Sequence, residues 1–467
     1  MSRFLLLAAL VLVVVSNAVA ALPEGPVGCA LPPPPSVSDA EFTDLSSAPV
    51  GAAVTVFGSG FGAAGEVTLG GVSQKVLGFS DRCVIFTVSG TGGELVVGGK
   101  RAGTLPVHAG RILEATPARL KSVWRDVRPG DVIYLRAGDY ASIFGEGDWC
   151  MECTFETFKR GTKAQPIAII AYPGELATLR WVPGSMHSVI ALGDQDSRQR
   201  RAEFLTFANL RIVGHADCIY GGGNTSDPYG GRENTGATDI RIVNVTCEIE
   251  DAESNTMTGL IALQGNHWTI LGSTFVDPPN RKIINNNHAI YISGGADDVE
   301  IGYNRLVNLH MGHVIQVHQD GKPFVYERIW IHDNELEGRA DMDMRGVNVA
   351  NVDEASSVLI ERNTFRNLGQ EFSGVAVYRG NVTIKDNRFY GVRAPDVALS
   401  GQYGGTRHVI VSGNRFETVG GYKAVDAANG AKFSDLHLEG NHYCGVSPQE
   451  RLSDELGSHA PEGVCKP

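Results

Sequence analysis

A short phrase recurs along the second half of the chain and constrains the fold more than any other feature. It alternates apolar and polar residues and then gives Asn, one variable residue and a large apolar residue, as in residues 299–306 and 329–336. Further copies end at Phe365, Phe389, Phe416 and Tyr443, and weaker copies end at Cys247 and Phe275. Successive copies lie 24 to 31 residues apart. Repeats of this length indicate stacked supersecondary units, none of which can bury its apolar face alone.

Each copy has the two-residue period of a strand with one buried face. No segment between copies is long and periodic enough for a crossover helix, so the strands must stack in parallel coils. Six asparagines align in the copies: Asn304, Asn334, Asn363, Asn387, Asn414 and Asn441. We expect them at a sharp bend, where Asn accepts left-handed backbone and stacked amides bond to one another. The alternative, a run of hairpins, lacks the Asn-Gly or Asp-Gly turns that hairpins favour.

This repeat resembles that of the right-handed parallel β-helix proteins, over roughly residues 111 to 445. The predicted fold is therefore all-β, with a right-handed parallel β-helix over residues 109–445 and a tail over 446–467. Thr116-Pro117 is expected to start a helix whose apolar side, with Leu120 and Trp124, caps the open end of the coil stack. The strings G-D-x-I-Y-L-x-x-G-x-Y and P-I-x-I-x-A-Y-P-G-E that follow resemble the opening coils of secreted β-helix polysaccharide lyases.

The N-terminal part is predicted to contain three segments. Residues 1–20 carry one Arg, an apolar run and a small-residue end, which indicates a secretory signal peptide. A Pro-rich leader follows over residues 21–35, and residues 36–108 show short Gly-punctuated strands typical of a small β-sandwich. The strings G-x-x-V-T-V-x-G-x-G-F and V-T-L-G-G in this segment resemble the immunoglobulin-like IPT/TIG module. We expect a secreted, extracellular or periplasmic protein without a membrane anchor, and assign the module no chemistry.

The net charge limits the class of binding partner, and the cysteine content indicates disulfides. A formal net charge of −12 and a pI near 5.6 argue against a nucleic-acid or anionic-membrane partner. Eight cysteines in an exported chain predict disulfides, whose connectivity stays open. Cys150 and Cys153 are expected to form a local bridge rather than half of a metal site. No cofactor is required by the sequence; Asp341 and Asp343 make Ca²⁺ an option, although two carboxylates fall short of the six to eight oxygens that Ca²⁺ takes.

A second strand in each central coil suggests where chemistry lies. Strands starting at residues 288, 313, 345 and 373 place alternate side chains outward on neighbouring coils about 4.8 Å apart. These side chains are unusually rich in groups that transfer protons and bind anions. The predicted catalytic residues are His318, Tyr378, Tyr291, His313 and Arg345. The predicted substrate-binding residues are Gln316, Asn348, His288, Lys322 and Arg379, and no metal ligand is predicted.

The patch favours a polysaccharide lyase that performs β-elimination on a uronic-acid polymer. Arg345 with Gln316 or Asn348 would neutralise the sugar carboxylate. His318 or Tyr378 would be the base, the latter if a cation such as Arg379 lowered its pKa, and Tyr291 or His313 the acid. A uronate epimerase, a glycoside hydrolase and a non-catalytic glycan-binding or adhesion protein remain alternatives. The active-site strings of β-helix polygalacturonases, pectate lyases and mannuronan epimerases are missing, and the sequence leaves the polymer and the oligomeric state open.

Overall fold

The computed structural model describes most of the chain after the expected signal peptide. The described residues are 27–29, 31, 41–141, 155–182, 188–193, 201–215, 217–222, 236–250, 259–277, 288–309, 312–318, 323–339, 344–369, 373–404, 408–417, 419–453 and 456. The expected signal peptide and the Cys150–Cys153 segment lie outside these ranges.

Three long parallel sheets dominate the described part of the chain and form a β-helix. The first sheet has 12 strands, the second 11 and the third 10, and every strand pairs with its counterpart one coil away. Within one coil the chain passes from the first sheet to the second and then to the third. The predicted all-β fold class with a parallel β-helix is confirmed, and the immunoglobulin-like nature of the β-sandwich that precedes it stays a prediction.

The strands of the first sheet are Ile112–Ala115, Val132–Leu135, Ile167–Ala171, Glu203–Ala208, Thr238–Val243, Thr269–Leu271, Val299–Gly302, Ile329–His332, Ser357–Glu361, Asn381–Lys385, His408–Ser412 and Asp435–Glu439. Those of the second are Gly138–Tyr140, Ala177–Arg180, Arg211–Gly214, Thr246–Ile249, Thr274–Val276, Arg305–Val307, Glu335–Glu337, Thr364–Arg366, Arg388–Tyr390, Arg415–Glu417 and His442–Tyr443. Those of the third are Phe155–Glu156, Ile190–Ala191, Ile219–Tyr220, Ile261–Leu263, Ile290–Ile292, His313–His318, Arg345–Ala350, Val375–Val377, Val397–Ser400 and Val425–Ala428.

The repeated Asn residues form a continuous hydrogen-bonded ladder inside the coil stack. Asn363 donates from Nδ2 to Oδ1 of Asn387 at 3.0 Å and to the carbonyl of Ile331 at 2.9 Å. The ladder confirms the expected amide stacking, but the expectation of left-handed backbone at Asn is wrong. The left-handed residue precedes each Asn, for example Arg362 with φ 53° before Asn363. The bend is made one residue earlier because each Asn side chain is buried and bonded within the stack.

Removing one rung should destabilise the whole stack. Asn363→Ala deletes the acceptor of the Asn334 backbone N–H and leaves Oδ1 of Asn387 and the carbonyl of Ile331 without this donor. Because unsatisfied buried groups cost about 1–3 kcal/mol each, we expect the free energy of unfolding to fall by about 3 kcal/mol. Urea unfolding would measure this change in the free energy of unfolding. Asn441→Ala, at the last rung, should cost less, and equal costs at both positions would contradict a continuous ladder.

The two ends of the apolar interior are built differently. At the N-terminal end the helix Leu120–Arg125 buries Leu120 and Trp124, and the Trp124 ring lies edge-on to Phe155 at 4.8 Å. This is the predicted cap, although the helix begins at Leu120 rather than directly after Pro117. Toward the C-terminal end, stacked rings of the repeat fill the interior, and the short helix Pro448–Arg451 follows the last coil.

Disulfides cross-link both parts of the described structure. Cys218 and Cys247 are bonded across the interior, with their Cα atoms 6.0 Å apart. Cys247 occupies the position that a large apolar residue takes in the other copies of the repeat. Cys29 is bonded to Cys83, which ties the leader to the N-terminal module, and Cys444 is disulfide-bonded as well. No helix in the described ranges is long and apolar enough to cross a membrane.

The N-terminal module, here residues 41–108, consists of two small sheets that share one hydrophobic core. One sheet contains Phe42–Thr43, Ala53–Phe57, Cys83–Thr87 and Lys75–Phe79. The other contains Ala48–Pro49, Lys100–His108, Gly92–Val97, Val67–Leu69 and Val72–Ser73. The resemblance to the IPT/TIG class stays a prediction.

The module is not a separate spacer, because it packs on the outer face of the first sheet. Its core is continuous with outward residues of that sheet, namely Val132, Tyr134, Ala168, Ile170, Tyr172, Ala208, Val243 and Leu271. The Tyr134 hydroxyl accepts from the backbone N–H of Ala53 at 2.7 Å and donates to its carbonyl at 3.0 Å. Phe42 stacks on Tyr303 at 5.4 Å, so the contact extends over several coils.

A buried carboxylate lies in this interface. Asp44 is 1% exposed and accepts hydrogen bonds from the backbone N–H groups of Leu45 and Thr55 and from Nδ2 of Asn209, each at 2.9 Å. Burial raises the pKa of the Asp44 carboxyl to about 6, while these hydrogen bonds act in the opposite direction. Asp44 therefore holds its proton to a higher pH in the folded protein than in the unfolded chain.

This raised pKa predicts a pH dependence of stability. Between about pH 4 and pH 6 the folded state binds more protons at Asp44 than the unfolded state, so the stability that Asp44 contributes falls as pH rises. A shift of about two pKa units corresponds to about 3 kcal/mol. We expect the free energy of unfolding of the parent, measured relative to Asp44→Asn in urea, to decrease across this window. A constant difference between the two proteins would contradict the prediction.

Candidate functional site

The third sheet brings the predicted site residues of four coils together on its outer face. The strand registers place Tyr291 beside Gln316, Gln316 beside Asn348, and Asn348 beside Ala376. This is the column expected from the alternation of the strands. Beyond Asn348 the column continues with Ala376 and Ala398 before Asp426, so the consecutive polar side chains lie on the central coils.

A second column contains imidazole and guanidinium groups. His313 lies directly beside Arg345, and one coil earlier Nδ1 of His288 is 2.7 Å from the carbonyl oxygen of His313. The His288 ring stacks on Tyr291 with centroids 5.2 Å apart, which links the two columns. Arg345 is only 5% exposed, so its guanidinium is a largely desolvated cation at the centre of the patch.

A third column of outward positions contains both His318 and Tyr378, but these two residues are not neighbours in it. His318 lies beside Ala350, and Tyr378 follows one coil further on. His318 and Tyr378 are thus two coil spacings apart, about 10 Å along the sheet. A direct exchange of a proton between these two side chains is therefore ruled out in this arrangement.

Tyr291 and His318 are in contact with each other. The Tyr291 hydroxyl lies 3.4 Å from Nδ1 of His318, and the ring centroids are 6.5 Å apart. Tyr291 is 9% exposed, whereas His318 is half-buried. The hydroxyl of the fully buried Tyr326 donates to the carbonyl oxygen of His318 at 3.0 Å and so supports the end of this strand. A phenol and an imidazole at this distance can pass a proton between them.

Burial and nearby charges determine the protonation state of His313. Burial, followed by the nearby charges of Arg345, His288 and His318, lowers the pKa of His313 well below its usual value. His313 is accordingly neutral at physiological pH. A neutral imidazole of such low basicity is a poor proton donor, so the geometry favours Tyr291 over His313 for that role.

Tyr378 and Arg379 do not form the pair considered from the sequence. Burial raises the pKa of Tyr378, and the nearby Tyr403 ring, edge-on at 5.6 Å, acts in the same direction; Arg345 opposes both. Arg379 forms an ion pair with Glu354 at 3.2 Å. The expectation that a cation makes Tyr378 basic is not met, and Tyr378 retains its proton at neutral pH.

The two amides at the centre of the patch are bonded to each other. Nδ2 of Asn348 donates to Oε1 of Gln316 at 3.3 Å, and Oδ1 of Asn348 is buried with no hydrogen-bond partner within the described ranges. The orientation of an amide is assigned from its hydrogen bonds, and flipping both side chains would present an N–H donor in place of the acceptor. In either orientation the pair offers a buried polar group to a ligand.

Some functional neighbours were not found by sequence reasoning, and one predicted residue lies outside the described ranges. Tyr326, Tyr403 and Glu354 come from segments between strands, where the repeat gives no signal. Lys322, Asp341 and Asp343 are not among the described residues. Within the described ranges no three His, Cys, Asp or Glu side chains converge to hold a metal ion.

No known family model and no curated protein matches this chain. Several solved structures are similar to this chain in coil architecture, and three of them are described here. An alginate lyase from Paenibacillus sp. is 14% identical with a TM-score of 0.38, and the match covers 76% of this chain and 99% of that one. A mannuronic acid-specific family 6 polysaccharide lyase from human gut microbiota is 12% identical with a TM-score of 0.45, covering 76% and 85%. The A-module of a mannuronan C-5 epimerase from Azotobacter vinelandii is 17% identical with a TM-score of 0.42, covering 74% and 92%. At these values the likeness carries no argument about the reaction.

Proposed function

We propose that the protein is a polysaccharide lyase that cleaves a uronic-acid polymer by β-elimination. The observation that carries the proposal is that a largely buried guanidinium, Arg345, and the contacting pair Tyr291 and His318 lie on three consecutive coils of the third sheet. These three groups match the three tasks of the reaction, which are neutralising a carboxylate, removing a proton and protonating a leaving oxygen.

The first task falls to Arg345 and the amide pair. The proton on carbon 5 of a uronate becomes acidic only when the adjacent carboxylate is neutralised or strongly hydrogen-bonded. A guanidinium binds a carboxylate through two parallel N–H donors, and this interaction strengthens away from water. Asn348 follows Arg345 by three residues on the same strand and pairs with Gln316 of the neighbouring coil, and these two amides supply further polar contacts to the same sugar.

The second and third tasks fall to His318 and Tyr291. In the tautomer that carries its proton on Nδ1, His318 directs this N–H at the Tyr291 oxygen and keeps the Nε2 lone pair for the substrate. Nε2 takes the proton from carbon 5, the freed electron pair forms the double bond between carbons 4 and 5, and the bond from carbon 4 to the leaving oxygen breaks. Tyr291 protonates that oxygen. Transfer of the Nδ1 proton to the Tyr291 oxygen then restores the phenol and leaves His318 neutral with its proton on Nε2. Proton exchange with water returns His318 to the Nδ1–H tautomer.

The same residues disfavour hydrolysis. A glycoside hydrolase usually needs two carboxyl groups on either side of the scissile bond. The outward positions of the strands Ile290–Ile292, His313–His318, Arg345–Ala350 and Val375–Val377 carry neither Asp nor Glu. An exported, extracellular or periplasmic location belongs to this proposal, since it fits the expected signal peptide and the buried disulfide between Cys218 and Cys247.

The test is the ultraviolet absorbance of the unsaturated sugar that elimination creates. Purified protein is incubated with alginate, pectate, glucuronan and glycosaminoglycans, with and without Ca²⁺. A rise on one of these polymers supports the proposal, and no rise on any of them overturns it. Exchange of the carbon-5 proton for deuterium without a rise would instead identify an epimerase. His437→Ala, at an exposed position of the first sheet, is the control and should behave as the parent.

A further inference from the structure

A cleft of about 310 Å³ lies at the edge of the second sheet, apart from the Tyr291–His318 pair. It is lined by Thr274, Phe275, Val276, Asp277, Arg305, Val307, Asn308 and Arg339. These residues come from three consecutive coils, at or just after the strands Thr274–Val276, Arg305–Val307 and Glu335–Glu337. A volume of this size falls at the lower end of the range of small-molecule sites.

The lining combines an apolar floor with a polar rim. The register of the second sheet places Val276 next to Val307, between Glu248 and Glu337 of the same outward column. Val276 is 39% exposed, which is unusual for a large apolar side chain here. Two arginines, Arg305 and Arg339, border the same space together with the side chain of Asn308. An apolar surface beside a few convergent polar groups suits the apolar face, hydroxyls and carboxylate of a charged sugar.

The charge of the cleft favours an anion. The Nε atom of Arg305 is 3.7 Å from Oε2 of Glu335, and both side chains are partly exposed, so this ion pair is long and contributes little. The Arg305 guanidinium can therefore turn toward a ligand carboxylate, because leaving Glu335 costs little free energy. Asp277 is the one carboxylate in the described lining, and it is mostly buried.

The same three coils carry the proposed active site. Asn308, in the cleft, precedes His313 of the third sheet by only five residues. A chain segment of this length spans at most about 18 Å. Arg339, also in the cleft, precedes Arg345 of the third sheet by six residues. One oligosaccharide lying across the coils can thus reach both places.

We propose that this cleft binds one uronate residue of the acidic polysaccharide, away from the bond that is cleaved, with Arg305 and Arg339 on its carboxylate. The inference rests on the proposed function for the identity of the polymer. It adds a binding site that the catalytic residues do not include, and it predicts that the enzyme prefers chains long enough to occupy the cleft.

The experiment measures binding by calorimetry in the His318→Ala protein, so that turnover does not interfere. The probes are oligogalacturonate, oligomannuronate and oligoguluronate of defined length, with a neutral cello-oligosaccharide for comparison. We expect an oligouronate to bind and the Arg305→Ala/Arg339→Ala substitution to weaken it about tenfold or more, the effect of losing charge-assisted hydrogen bonds. Arg388→Ala is the matched control, since Arg388 lies on the same outer column as Arg305, three coils away.

The outcomes separate this inference from the proposed function. If an oligouronate binds and the double substitution weakens its binding, but no polymer is cleaved by elimination, uronate binding in the cleft is supported and the proposed lyase activity is contradicted. If a polymer is cleaved by elimination while the double substitution changes neither the affinity for the oligouronate nor KM, the lyase activity is supported and uronate binding in the cleft is contradicted. Equal weakening by Arg388→Ala would also overturn it, because the effect would then be general surface charge. Circular dichroism and thermal unfolding confirm that each variant is folded.

Discussion

Replacing His318 by Ala is expected to lower kcat for elimination by about 10²- to 10⁴-fold, the usual contribution of a positioned acid or base. The side chain is half-buried, and its Nδ1 contacts the Tyr291 hydroxyl at 3.4 Å. Its loss removes the proton acceptor while Arg345 and the amide pair remain, so KM should change much less than kcat. The product absorbance at saturating substrate measures the effect. Added imidazole should restore part of the activity, which a purely structural role of His318 would not allow.

Tyr291→Phe tests the same pair from the other side. The ring and its stacking on His288 are kept, and only the hydroxyl is lost. Because the two groups return a proton to each other in the proposed cycle, their effects should not multiply, and the double variant should be about as slow as the slower single one. Multiplying effects would show that the residues act independently and would contradict the relay.

The second large effect concerns the N-terminal module. A chain that lacks residues 41–108 is expected to aggregate or to unfold at a markedly lower temperature. Removing the module uncovers the outward column Tyr134, Ile170, Ala208, Val243 and Leu271, which runs along successive coils of the first sheet. A contiguous apolar patch of this kind is rarely left exposed on a soluble protein. Size-exclusion chromatography and thermal unfolding of the truncated chain measure the effect.

A point substitution makes the same test without shortening the chain. Leu271→Asp places a carboxylate at a position that is 4% exposed in the interface, and we expect a loss of about 3 to 5 kcal/mol of stability, as for an uncompensated buried charge. Ser412→Asp is the matched control, because Ser412 continues the same column beyond the module. A truncated chain that stays monomeric and melts with the parent would show that the module contributes nothing to the β-helix.

The polar end of this column shows why the module stops where it does. After Leu271 the outward positions become Gly302, His332, Glu361 and Lys385. His332 is hydrogen-bonded to Asp333 at 2.9 Å, and Glu361 pairs with Lys385 at 2.8 Å. Lys385 and Arg362, which pair with Glu361, are partly exposed and would lose solvation under an apolar module. Trp330 and His332 are therefore part of the outer face of the first sheet, whereas Ile331 between them points into the core.

Part of the candidate site followed from the chain alone. The column of Tyr291, Gln316 and Asn348 was predictable because strand alternation and the repeat spacing fix which side chains face outward and which lie next to one another. The neutral state of His313, the pairing of Arg379 with Glu354 and the support of His318 by Tyr326 were not predictable. Each of these three features depends on residues outside the repeat or on burial. Neither of these causes produces a periodic signal in the sequence.

By itself, the sequence determined the parallel β-helix, its helical cap, the Asn ladder and the outward columns of the third sheet. These features follow from patterns of two residues and of one coil, which recur many times and so leave little choice of register. Only the tertiary structure decided that the N-terminal module packs on the first sheet, that Tyr291 contacts His318 and that three coils enclose a cleft. Each of those contacts occurs at a single place in the molecule and does not recur from coil to coil. Its geometry depends on side-chain packing that the repeat does not encode.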